Sequence, residues 1–141
     1  MVEANIPPRE MLSLLSVFRM ALAIHGVAEH RVLETLVSLV RPPPPLRLQI
    51  AALRSEHRAQ QLAAERLGQL PPGTDEWYTG ALELRVLVLD HAKREDYLRN
   101  AIEDHVPTPI SRGLSAQYAT ERMRLMATTS PLALARQVRA A

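Results

Sequence analysis

The positions of proline constrain the fold of this chain more than any other feature of its sequence. Its 141 residues include eleven prolines, which lie at 7–8, 42–45, 71–72, 107, 109 and 131. Because proline lacks a backbone N–H and clashes with the preceding helical turn, it marks helix ends. The proline-free stretches are long enough for helices and show no strand-like alternation; they span 9–41, 46–70, 73–106 and 110–130. The sequence therefore predicts an all-α helical bundle of three long helices plus a shorter C-terminal helix.

The length of the chain bounds its organisation. A chain of 141 residues suits one domain with a single core. We predict that this domain covers residues 1–131 and that 132–141 form a C-terminal tail. The proline run at 42–45 is interpreted as a stiff connector between two helices. Thr74, which is followed by two acidic residues, is predicted to cap the third helix.

The composition and charge of the chain exclude several classes of function. The chain has no cysteine, which excludes disulfide scaffolds, thiolate zinc sites, iron–sulfur clusters and cysteine nucleophiles. Its net charge is only +2, and its arginines are scattered along every segment with acidic residues between them. No basic patch results, so nucleic acid is not an expected partner. The N-terminus lacks the basic region of a secretory signal, and Arg19 interrupts the apolar stretch that starts at Met11. We therefore expect a cytoplasmic protein that does not span a membrane.

The predicted long helices each carry an apolar face that polar residues interrupt at mid-height. In the first helix, steps of four and three residues give Met11, Leu15, Phe18, Leu22, His25, Glu29, Val32, Leu36 and Leu39. In the third, they give Trp77, Ala81, Leu84, Val88, His91, Glu95, Leu98 and Ile102. In the second, they give Leu46, Ile50, Leu53, His57, Gln61 and Ala64. Such steps keep residues on the face that packs into a bundle, so polar groups from three helices are predicted to meet in the core.

The carboxylates of Glu29 and Glu95 need strong partners in that core, since burying an uncompensated carboxylate is very costly. No lysine or arginine lies on the three faces. A metal ion would satisfy carboxylates beside imidazoles, and a histidine and a glutamate four residues apart can ligate one centre or bridge two. These ligands suit iron, manganese or zinc. The alternative is that the pairs are exposed, or that the histidines are only hydrogen-bonded in a metal-free core.

These segments resemble the hemerythrin-like (HHE cation-binding) family, whose members are helical bundles that hold a dinuclear non-haem iron centre. LAIHGVAEHRVL at 22–33 looks like the family's second ligand helix, LRSEHRAQQL at 53–62 its third, and LVLDHAKREDYL at 87–98 its fourth. The helix at 110–130 is similar to the C-terminal extension of many bacterial members, so the resemblance covers about 14–131. It implies two iron ions bridged by the two glutamates, with a metal-ligand set of His25, Glu29, His57, His91 and Glu95.

The chain departs from the family pattern in two places. The family's first ligand helix has no counterpart, and Gln61 stands where oxygen carriers place a second histidine. Asp96 is a rival to Glu95, since some members use that spacing, but it is turned about 100° away from the inward face. The missing ligands could come from water, from a partner subunit, or from the fourth helix, where Tyr118 and Glu121 share a face. The two remaining histidines are interpreted as surface residues: His30 and His105.

The resemblance implies that the iron pair binds O₂, NO or peroxide, for transport, sensing or scavenging. An enzyme that activates O₂ to oxidise a small organic substrate is the alternative, because carboxylates stabilise the oxidised metal and a missing first helix opens one side of the site. A second alternative is a degenerate, metal-free interaction domain. We also expect a homodimer, because three long helices and a shorter fourth leave apolar surface uncovered.

Overall fold

A computed structural model describes residues 6–128, and this part of the chain contains four α-helices and no strand. The predicted all-α bundle is therefore confirmed. The tail predicted at 132–141 lies outside the described residues. The helices are α1 (Pro8–Val40), α2 (Pro44–Leu67), α3 (Asp75–His105) and α4 (Thr108–Thr128).

Three of the four helices have proline in their first turn. The 42–45 run was predicted to lie wholly between helices, but α2 begins at Pro44, so the connector shrinks to three residues. Pro109 likewise lies inside α4. The physical reason is that the first-turn N–H groups of a helix have no intrahelical partner, so proline costs nothing there. The cap of α3 is confirmed, since Thr74 Oγ1 accepts a hydrogen bond of 3.2 Å from the Trp77 N–H.

The helices form a ring in which α1 packs on α2 and α4, and α2 packs on α3. The contact between α3 and α4 is slight, and α1 and α3 lie diagonally across the bundle. Short connections make successive helices antiparallel. Because α4 packs mainly on α1, a gap separates α4 from α3.

The core consists of apolar layers above and below a polar middle. One layer joins the C-terminal halves of α1 and α3 to α2 and α4; its buried members are Leu33, Leu36, Leu46, Ile50, Leu53, Leu98, Val106 and Leu114. The layer at the other end contains Leu15, Leu22, Ala64, Leu67 and Leu84. A third cluster between α1 and α4 contains Ala23, Ile24, Ala28 and Leu125. The polar residues predicted at mid-height therefore lie between two apolar layers.

Most residues predicted on the inward faces are buried or half-buried; two on α1 are exposed, and on α2 the buried amide is the neighbour of the predicted one. All eight predicted members on α3 are buried or half-buried. On α1, however, Phe18 and Leu39 are 37% and 63% exposed. On α2 the buried amide is Gln60, whose Nε2 donates to the Leu87 carbonyl at 3.4 Å, while Gln61 is half-buried. The step from His57 is therefore three residues where the prediction used four.

Helix α1 is continuous through Arg19, the residue predicted to interrupt its apolar stretch. Among the described residues it is the one helix that is long and apolar enough to cross a membrane by length and composition, a test that the core helix of a soluble protein also passes. Its inward face carries His25 and Glu29, which accounts for it as a helix of the bundle.

Candidate metal centre

Helices α1, α2 and α3 bring three imidazoles together at mid-height. The ring centroids of His57 and His91 lie 4.5 Å apart, and that of His25 lies 5.2 Å and 5.8 Å from theirs. Donor atoms of these histidines and of Glu29 all lie within 4.8 Å of one another. A metal ion at their centre would lie within coordinating reach of all four, so this group could hold a metal ion.

Gly26 lies where α1 faces the imidazole of His57 on α2. A Cβ atom at this position would lie 3.4 Å from Cγ of His57, which is an ordinary van der Waals contact. The imidazole of His57 therefore packs directly against α1 beside His25.

Three potential metal-ligand atoms in the cluster are buried without a hydrogen-bond partner: Glu29 Oε2, His57 Nε2 and His91 Nε2. The first two lie 3.0 Å apart, but their orientation does not make a hydrogen bond. Buried polar atoms are nearly always satisfied, and leaving one unsatisfied costs about 1–3 kcal/mol. A metal ion could satisfy these three atoms, because the residues that carry them belong to one group of potential ligands.

Glu95 lies on the side of the cluster next to α1. Its Oε1 is 3.0 Å from Nε2 of His25 and 3.7 Å from Nε2 of His91. Asp96, its rival, points outward, is 71% exposed and pairs with Arg99 at 3.3 Å. Within residues 6–128, neither Glu29 nor Glu95 pairs with lysine or arginine. The five residues predicted as ligands are thus gathered in one place, and Asp96 is not among them.

A layer of hydrogen bonds outside the cluster orients its imidazoles. The Nδ1–H of His91 donates to Glu56 Oε2 at 2.7 Å, and Arg94 donates to the other oxygen of that carboxylate. This bond leaves the Nε2 lone pair of His91 directed into the cluster. On the other side, Nδ1 of His25 is hydrogen-bonded to the Tyr118 hydroxyl at 2.7 Å. Both arrangements are typical of metal-ligating histidines.

Glu56 is the site residue that the sequence analysis missed. Glu56 lies one position before His57, and the predicted inward face of α2 continued from Leu53 to His57 without including it. Leu53, Glu56 and Gln60 follow one another at steps of three and four residues. That spacing is the signal that could have placed this carboxylate beside the core.

Two groups in the cluster form an ion pair when no metal is bound. Burial opposes the charge on His25, but the Glu95 carboxylate at 3.0 Å and Glu29 outweigh it and raise the pKa of this imidazole. Burial alone would raise the pKa of the Glu95 carboxyl, yet hydrogen bonding to His25 and Glu29 and the charge of His25 lower it to about 2. Burial also raises the pKa of Tyr118. A metal ion that binds His25 therefore competes with the proton for this imidazole.

The other predicted polar residues lie away from the cluster. Glu121 pairs with Arg31 at 2.5 Å and with Arg124 at 3.1 Å, and these guanidinium groups lower the pKa of its carboxyl. His30 pairs with Glu34 at 3.0 Å. The last of the five histidines is an exposed residue that bonds to a backbone carbonyl of its own helix, His105.

A cleft leads from the surface to the cluster through the gap between α3 and α4. Its volume is about 470 Å³. His25, Glu29, Glu95 and Tyr118 lie at its inner end. Its walls are mainly apolar: Val32, Leu33, Leu36, Leu98, Ile102 and Leu114. Small molecules therefore have a route from solvent to the imidazole–carboxylate cluster.

Comparisons of the chain with protein-family models, with curated proteins and with solved structures find no match. The function is therefore argued from the geometry and chemistry of this site, and the hemerythrin-like resemblance stays a prediction.

Proposed function

We propose that this chain is a hemerythrin-like metal-binding protein, with a non-haem iron centre that binds O₂ or a related small molecule such as NO or peroxide. One observation carries the proposal. Three buried atoms, on Glu29, His57 and His91, have no hydrogen-bond partner, and these residues belong to a group whose ligand atoms lie within 4.8 Å of one another. Neither Glu29 nor Glu95 has a lysine or arginine partner in the described chain, so a bound metal ion would neutralise carboxylates that otherwise face only histidines.

The ligand types favour iron among the metals they suit. Imidazole combined with carboxylate is the ligand set of non-haem iron sites with open coordination positions. Glu29 lies beside His57, and Glu95 lies beside His25 and His91, so each carboxylate has imidazole neighbours. These five side chains would hold the iron, and two carboxylates among them favour a pair of ions over a single one. Iron held by so few side chains would keep the capacity to bind an exogenous small molecule.

The remaining residues of the site have separate tasks. Iron, when bound, supplies the reversible coordination and the redox chemistry that the side chains lack. Glu56 and Tyr118 fix the orientation of two imidazoles. The apolar residues of the cleft provide a surface for a small uncharged molecule, and Arg99, Glu103 and Ser115 add polar groups to its lining.

Metal analysis with optical spectroscopy tests this proposal. Protein expressed with iron is analysed with and without O₂, together with the variants His57→Ala and His105→Ala. We expect about two irons per chain and a near-ultraviolet oxo-to-iron band. We also expect loss of iron in His57→Ala and no loss in the control His105→Ala, whose imidazole is exposed. Protein without metal, and without loss of stability in His25→Ala or His91→Ala, would contradict the proposal and indicate a metal-free interaction domain.

The cleft favours a second candidate, an oxidase or oxygenase that uses the same site to oxidise a small organic substrate. Its volume of about 470 Å³ lies within the range of about 300–1,000 Å³ that is usual for ligand pockets. The set of two carboxylates and three imidazoles also stabilises oxidised iron. Reversible oxygenation would indicate a binding protein, whereas irreversible O₂ consumption that requires an added substrate would indicate the enzyme.

A variant at the rim of the cleft separates these two functions. Ser115→Trp narrows the cleft from an exposed position, and Ala116→Trp is a neighbouring control outside it. For the enzyme, we expect Ser115→Trp to abolish substrate-dependent O₂ consumption with an unchanged metal content. For the binding protein, both variants keep reversible oxygenation.

A further inference from the structure

An apolar groove lies between the N-terminal halves of α1 and α3, and no residue of α4 lines it in the part of the chain that the structure describes. We call it the α1–α3 groove; its volume is about 530 Å³. The large apolar side chains that line it are between 37% and 54% exposed: Ile6, Leu14, Phe18, Tyr78 and Leu89. Val17 and Leu82, which are 61% and 60% exposed, lie one helical turn after Leu14 and Tyr78 on the same two helices. It is separate from the cleft that leads to the metal centre.

The groove lies beyond the cluster that joins α4 to α1. In that cluster Leu125 of α4 packs against Ala23, Ile24 and Ala28 of α1, and Met20 packs against the same group. Within residues 6–128, no member of this cluster lies closer to the start of α1 than Met20. Phe18, a predicted core residue, lies outside the cluster and is 37% exposed.

We propose that a second copy of this chain covers the α1–α3 groove and that the protein is a two-fold symmetric dimer. The seven exposed residues present on the order of 600 Å² of side chain, most of the roughly 800 Å² that each partner buries in a stable interface. A patch of this size is at the upper end of what monomers expose and is often functional. Helix α1 lines the groove, so under two-fold symmetry the same patch of each copy supplies both halves of an isologous contact.

The charges around the groove distinguish a second copy from the chain's own C-terminal residues. Arg85 is the charged residue that lines the groove, and it has no ion pair in the described chain. A second copy brings Glu10, an exposed carboxylate at the start of α1 that is likewise unpaired within residues 6–128. Residues 129–141 contain two arginines, no acidic residue and three large apolar side chains. These residues offer no carboxylate to Arg85 and less apolar surface than a second copy of the groove residues.

Sedimentation velocity or light scattering of the full-length, metal-loaded protein tests the proposal. We expect twice the chain mass of 15.8 kDa over a wide concentration range. Leu14→Glu places a carboxylate in the contact twice because of the symmetry, so we expect the dimer dissociation constant to rise at least about a hundredfold. Leu48→Glu is the matched control, since Leu48 is 73% exposed on α2, away from the groove, and we expect it to stay dimeric. Circular dichroism and metal content, unchanged in both variants, show that the fold is kept.

Other outcomes would overturn the proposal. A monomer at every concentration excludes a second copy, and binding of that monomer to phospholipid vesicles would assign the groove to a membrane surface. If a variant that ends at residue 128 forms a dimer and the full chain does not, the α1–α3 groove would be assigned to residues 129–141 of the same chain. A dimer that Leu14→Glu leaves unchanged would place the interface elsewhere. None of these results depends on the identity of the metal.

Discussion

The substitution Glu56→Gln tests whether His91 is a metal ligand held by a carboxylate. In the structure, the Nδ1–H of His91 donates to Glu56 at 2.7 Å, and the Glu56 side chain is only 16% exposed. Glutamine keeps the size of the side chain and a carbonyl that accepts the bond, but it removes the negative charge. A charge-assisted hydrogen bond contributes about 1 kcal/mol more than a neutral one. We therefore expect metal affinity to fall about five- to tenfold, at the lower end of the effects known for such outer partners.

The assay is a competition titration of the metal-free protein against a chelator of known affinity, with ferrous iron under anaerobic conditions. The chain offers a close control in Glu34→Gln. Glu34 also pairs with a histidine and an arginine, His30 at 3.0 Å and Arg54 at 3.3 Å, but neither belongs to the cluster. We expect this variant to bind metal like the parent.

Equal affinities for the Glu56→Gln and Glu34→Gln variants would refute the reasoning, because they would show that the Glu56 charge does not act on a metal ligand. Nitrogen NMR of the imidazoles gives an independent readout. We expect the proton of His91 to reside on Nδ1 in the parent protein. A proton on Nε2 would remove the lone pair that the cluster needs.

Three further predictions concern the core, the cleft and the pH dependence. Leu36 is 1% exposed, so we expect Leu36→Ala to lower the free energy of unfolding by about 2–5 kcal/mol in urea titrations. Leu39 was predicted in the core but is exposed, so we expect Leu39→Ala to lower it by less than about 0.5 kcal/mol. Tyr118→Phe removes the hydroxyl bonded to His25 and should lower metal affinity up to about tenfold in the same chelator assay, with unchanged affinity contradicting an orienting role. In metal-free protein, the raised pKa of His25 contributes stability that is complete below its ordinary value of 6.5 and is lost as the pH rises through the folded value. The lowered pKa of Glu95 contributes stability that is complete above 4.5 and is lost as the pH falls towards about 2. The difference in melting temperature between parent and His25→Gln should therefore be largest between pH 4.5 and 6.5, and a difference independent of pH would contradict the ion pair.

The inward faces could be predicted from the sequence near the middle of each helix and less well at the ends. Steps of four and three residues repeat every 3.5 residues, whereas a straight helix has 3.6 per turn, so the predicted face drifts by about 20° per heptad. From Met11 to Leu39 this amounts to about 80°, which turns Leu39 out of the core. The drift is small around the middle of the helix, where His25 and Glu29 lie. The same ambiguity between steps of three and four residues placed Gln61 on the inward face in place of Gln60.

The sequence by itself determined the four helices and the residues that meet at mid-height. Proline acts on the backbone locally, and the scarcity of partners for two inward glutamates is a property of composition. Only the tertiary structure decided which surfaces meet. It placed Glu56 against His91 across two helices and brought Tyr118 to His25. It also left the cleft open, because α4 packs on α1 and contacts α3 only slightly, and it formed the α1–α3 groove among the described residues. These features depend on how the helices pack together, which no single helix encodes.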